Sequence, residues 1–138
     1  MFSSSESNAT SHNIKAAVMH HAYTHVFPTP AVPFLAFTGT KDTTAPPAMA
    51  DGFFDAASSS GLPRGLVNRV GATHHEPDVE DFNPLLPQFT AAWFKIFLDE
   101  KPEEFGIDWF GLVFGKGAGS LCGGGAGKMA NCTTLSGK

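Results

Sequence analysis

The sequence predicts an α/β fold: about three mostly parallel strands with covering helices. Three observations carry this. Two short apolar runs, "VPFLAFT" (32–38) and "LVNRV" (66–70), each stop at a glycine, Gly39 and Gly71. Runs of that length with little polar alternation read as strands buried on both faces of a sheet. A longer segment places Leu85, Leu86, Phe89, Ala92, Trp93, Ile96 and Phe97 at three- and four-residue steps, the period of an amphipathic helix. Strands and helices alternate, and such an order calls for parallel pairing through crossovers.

The elements follow in order. Residues 2–12 are polar and serine-rich, as in a loop or a frayed helix end. Residues 14–19, "IKAAVM", read as a short buried strand. "HHAYTHVFPTPA" (20–31) contains two prolines and reads as loop. The strand at 32–38 follows, then the loop "GTKDTTAPP". Pro46 and Pro47 suit the first turn of a helix, where a missing N–H costs little. Met49, Phe53, Phe54, Ala56 and Ala57 give that helix its apolar side, and Gly61-Leu62-Pro63 stops it. After the strand at 66–70, the long helix spans about 84–100, with Asn83 as its N-cap and Pro84 next to it. The last segment, 111–138, is rich in glycine and reads as a flexible tail behind a domain that occupies 1–110.

The composition narrows the function. A chain of 138 residues with 42% hydrophobic and 16% charged residues suits one globular domain. A net charge of -4 leaves no basic patch, which argues against a nucleic-acid partner. No run of eighteen apolar residues exists, so no membrane span is expected. Cys122 and Cys132 do not have zinc spacing and read either as a disulfide closing a small loop or as two free thiols. Asn8-Ala9-Thr10 and Asn131-Cys132-Thr133 fit the glycosylation sequon, which points to an extracellular parent. The N-terminus lacks the charged and apolar regions of a signal peptide, which points the other way unless the chain is incomplete.

In parallel sheets, function collects in the loops beyond the carboxyl ends of the strands. "HHAYTH", "GTKDTTAP" and "GATHHEP" are those loops here. Asp42 follows one strand and His74 the next, and a right-handed crossover brings both loops to one edge of the sheet. An Asp that orients a His and stabilises its charged form is two-thirds of a nucleophilic triad. Taken alone, Asp42 reads as a helix cap or an Asx-turn; paired with His74, it reads as a triad acid. A metal site using His74 and His75 with His20, His21 or His25 ranks lower. His21 and His25 stand four apart, but Ala22 occupies the position of the Glu in H-E-x-x-H. "CGGGAGKM" (122–129) lacks the first Gly and the final Ser or Thr of a phosphate loop and is rejected as one.

"VPFLAFTGTKDTTAP", "GATHHEP" and "TAAWFKIFLDEKPEEF" together resemble the C-terminal part of cutinase-like polyester hydrolases and dienelactone-hydrolase-like enzymes, members of the α/β-hydrolase family. The resemblance spans roughly 14–105. It implies a serine esterase with Asp42 as triad acid, His74 as catalytic base, and Tyr23 and His75 beside the substrate cleft. It implies an ester substrate and no metal or organic cofactor. The departure is the nucleophile: no G-x-S-x-G occurs in these residues, and the strands that supply an oxyanion hole are missing. The expectation is therefore the C-terminal portion of an α/β-hydrolase fold, with Met1 an internal methionine shortly after the missing serine. Alone, such a fragment is expected to be inactive, poorly soluble and prone to self-association through an exposed sheet edge. Two other classes stand beside it: a non-catalytic α/β interaction module and a histidine-rich metal-binding protein.

Overall fold

Alternation along the two central strands builds the molecule. The computed structural model describes residues 13–78 and 82–137. Strands β1 (Ala17–His20), β2 (Phe34–Gly39) and β3 (Arg64–Arg69) lie side by side and parallel. Ala17 is opposite Phe34, and Phe34 is opposite Arg64. Helix α1 (Pro47–Ala56) connects β2 to β3, and helix α2 (Leu86–Leu98) follows β3. Every residue of β2 is buried. Its side chains alternate between two cores, as the pleat requires. Leu35 and Phe37 join Val67, Phe89 and Trp93 on one face; Phe34 and Ala36 join Leu66, Phe53 and Ala57 on the other. Helices thus cover both faces of a mostly parallel sheet, as expected from the order of sequence features.

Helix α2 buries Leu86, Phe89, Ala92 and Trp93, the stripe read from the sequence. Its start differs in detail. Asn83 is not the N-cap; its Oδ1 accepts the Leu85 N–H at 3.0 Å, which fixes the turn before the helix. The residues 2–12 and the Asn8 sequon lie outside the described residues.

The segment expected to be a flexible tail is folded, and this corrects the reading of 111–138. A short helix α3 (Trp109–Phe114) and a turn at Leu121–Gly125 place Val113, Leu121 and Ala126 in the larger core. Strand β4 (Met129–Leu135) then pairs antiparallel with β3, with Cys132 opposite Val67. Cys122 and Cys132 form a disulfide that ties the turn to this strand. Closing a loop with a sequence separation of 10 removes denatured-state entropy worth about 2–3 kcal/mol on the chain-entropy scale. Composition concealed the strand because "MANCTTL" lacks apolar alternation; the neighbouring β3 and the disulfide hold it in place. Among the described residues, no helix is long and apolar enough to cross a membrane.

Candidate active site

Two loops at the carboxyl ends of β2 and β3 are locked together by backbone hydrogen bonds. The Thr40 N–H donates to the Arg69 carbonyl at 2.9 Å, and the Lys41 N–H to the Ala72 carbonyl at 3.0 Å. The Thr40 hydroxyl accepts the Gly71 N–H at 2.8 Å. Gly71 turns the chain with φ 82, a left-handed conformation that glycine adopts without steric cost. Gly39 permits the close approach: a Cβ there would stand 2.6 Å from the Ala72 carbonyl carbon. Gly39→Ala is therefore expected to force the loops apart and cost about 1–3 kcal/mol, typical of overpacking. Urea denaturation checks the cost, and a stability equal to wild type contradicts it.

Asp42 uses its two oxygens differently. Oδ1 accepts the N–H groups of Thr44 at 2.9 Å and Ala45 at 2.7 Å, an Asx-type turn ahead of α1. Oδ2 accepts from Nδ1 of His74 at 3.1 Å and from Nδ1 of His21 at 2.9 Å. One oxygen thus makes the turn and the other meets the two histidines. The His74 side chain is 33% exposed while that of Asp42 is fully buried. With Nδ1–H directed at Asp42, neutral His74 carries its lone pair on Nε2, the nitrogen a general base uses. Among the described residues, Nε2 of His74 has no hydrogen-bond partner.

His21 was not expected here as a catalytic-site residue. It follows β1 in the left-handed region, φ 50, with its N–H held by the Phe37 carbonyl at 2.9 Å. Its Nδ1 faces Asp42 and its Nε2 faces Glu76 Oε2 at 3.1 Å, and its side chain is 1% exposed. Ionised carboxylates only accept hydrogen bonds, so satisfying both requires a doubly protonated ring. His21 is accordingly an imidazolium between two carboxylates. Glu76 is held in turn by an ion pair with Arg69 and by the Asn83 amide at 3.3 Å.

The proton affinities agree with this arrangement. Burial works against the charge of His21, but its hydrogen bonds to Glu76 and Asp42 and their negative charges raise its pKa above 6.5. Burial likewise opposes ionisation of Asp42, but the Ala45 N–H and the two histidines hold its pKa below 3.8. Glu76 is held below 4.5 against its burial by His21 and Arg69. Neighbouring His20 shifts the other way: burial, then the charge of His21, lowers its pKa despite the opposing pull of Glu76.

These directions set the pH dependence of stability. A raised pKa gives stability that is complete below 6.5 and lost as pH rises through the folded value; depressed carboxylates give stability present above about 4.5 and lost as pH falls through theirs. His20 contributes in the opposite sense to His21, gaining as pH rises towards 6.5. The stability difference between wild type and His21→Gln isolates the His21 part. It is expected to be largest between about pH 4.5 and 6.5 and to shrink on both sides, measured by denaturation at a series of pH values. A difference independent of pH contradicts a charged His21.

Among the described residues, the other histidines do not join this cluster. His20 stacks on Phe37 and bonds the Thr90 hydroxyl at 3.1 Å. His75 is exposed and bonds Asp78 at 2.8 Å. Tyr23 is exposed, and its hydroxyl bonds His25 Nε2 at 2.6 Å in the loop after His21. The histidines around one point are His21 and His74, with Asp42 between them. A usable signal for His21 lay in its position: it follows β1 as Asp42 follows β2 and His74 follows β3. Glu76, two residues after His74, had no such signal.

Comparison with models of known protein families finds no match for the chain, and comparison with curated proteins finds none.

Proposed function

We propose that Asp42 and His74 are the acid and base of a serine hydrolase of carboxylic esters, and that this chain is the C-terminal portion of its α/β-hydrolase fold. The observation that carries this is the 3.1 Å bond from His74 Nδ1 to Asp42 Oδ2, made by residues after consecutive parallel strands. The order Asp then His, each beyond its own strand, follows the second half of the Ser…Asp…His sequence of that fold. Strand β1 lies at one end of the sheet, where further strands of the enzyme would continue it.

In the intact enzyme, a serine attacks the ester carbonyl as His74 Nε2 takes its proton. The resulting imidazolium is stabilised by Asp42. His74 then returns the proton to the departing alcohol oxygen. Water, deprotonated by His74, cleaves the acyl-enzyme and releases the acid. Tyr23 and His75 stand in the loops that flank this edge and would touch the bound ester.

Reading the frame upstream of Met1 tests the proposal. A G-x-S-x-G elbow is expected within about 30 codons, given the short connections typical of such folds. An open frame of that length without one overturns it. The 138-residue chain is expected to hydrolyse p-nitrophenyl esters only at background rate, and the extended chain well above it.

A further inference from the structure

Three potential metal ligands converge where the strand-end loops meet: one ring nitrogen each from His21 and His74 and a carboxylate oxygen of Asp42, all within 4.8 Å of one another. We propose that His21, Asp42 and His74 form a binding site for a divalent cation of the zinc class, a role that needs no nucleophile and goes beyond ester hydrolysis. Two imidazole nitrogens and one carboxylate suit zinc and its transition-metal neighbours, whereas calcium and magnesium take oxygen donors.

The separations suit one ion. Zinc bonds of about 2.0–2.2 Å place tetrahedral ligands roughly 3.3 Å apart. The two nitrogen-to-oxygen distances here are 2.9 and 3.1 Å. A bound ion would require these two gaps to open slightly and the two nitrogens to approach each other. The supporting contacts are those a metal site uses. His21 directs its second ring nitrogen at Glu76, and the other oxygen of Asp42 is fixed by the N–H groups of Thr44 and Ala45. The partial exposure of His74 leaves a fourth position for water.

Protons occupy the places the ion would take. On binding, His21 loses its Nδ1 proton and keeps Nε2–H on Glu76. His74 gives up its Nδ1 proton and takes one from water on Nε2. Three bonds to the metal form, and one proton is released per ion. His74 then has no free lone pair, so a bound ion and base catalysis exclude each other.

Calorimetric titration of the 138-residue chain with Zn2+ tests this. One equivalent is expected to bind, with affinity falling at least about tenfold in His21→Gln and in His74→Gln, and unchanged in His25→Gln. Because a variant that fails to fold would mimic that loss, Co2+ is added to wild type as well. A four-coordinate visible spectrum is expected, with paramagnetic broadening of the His21 and His74 ring signals. No stoichiometric binding at millimolar Zn2+, full affinity in both variants, or broadening centred on His75 overturns the site. None of these readouts uses an ester, so loss of the metal site leaves the Asp42–His74 reading standing, and failure of ester hydrolysis leaves the metal site standing.

Discussion

Replacing His74 with alanine in a chain that carries its nucleophile is expected to lower kcat/KM for a carboxylic ester by about four to six orders of magnitude. Steady-state kinetics on a p-nitrophenyl ester measure it. The size follows from the proposed role: His74 would move a proton in both half-reactions, and without it the serine would attack as a neutral alcohol. The loss should fall on kcat with KM little changed, because the base acts on the transition state rather than on bound ester. Asp42→Asn should cost about ten-thousand-fold, since an amide nitrogen turned towards His74 favours the wrong tautomer. Both effects are read on the upstream-extended chain, because no G-x-S-x-G occurs in the 138 residues. A His74→Ala variant that keeps a tenth of the wild-type rate would remove the base from this position.

The largest effect on stability is expected from Glu76. Its side chain is 5% exposed and faces both His21, at 1%, and Arg69, at 15%. Glu76→Ala would strand two cations in a buried site, at a cost of about 3–5 kcal/mol, typical when one partner of a buried pair is removed. Glu76→Gln should cost less, because an amide oxygen still accepts a hydrogen bond. Chemical denaturation separates the two. The strained φ 50 at His21 reinforces the expectation: a non-glycine residue stays in that region only when its surroundings hold it there. If Glu76→Ala is as stable as wild type, the buried charges are being neutralised in some other way.

The parallel core was legible in the sequence because burial writes itself directly into composition. "VPFLAFTG" has to be buried on both faces, and the stripe from Leu86 to Phe97 has to face a sheet. Asp42 and His74 were legible for a topological reason, since residues that end neighbouring parallel strands meet at one edge. His21 obeys the same rule but was hidden by His20 beside it. The chain turns at His21, so His20 stacks on Phe37 while His21 reaches Asp42. Glu76 was hidden more deeply: its role depends on Arg69 at the end of β3 and on the side chain of His21, contacts that sequence spacing does not reveal. Strand β4 was missed because its glycine-rich approach resembles a linker, and the Cys122–Cys132 bond that secures it can be read from spacing only as one of two alternatives.

The most direct measurement is labelling of the upstream-extended chain with a fluorophosphonate, which reacts with an activated serine. Ester hydrolysis through Asp42 and His74 predicts one phosphonylated serine in a G-x-S-x-G elbow, with labelling slowed at least a thousandfold in His74→Ala, in line with loss of the base. A folded extended chain that takes up no label, or that labels equally fast without His74, contradicts it.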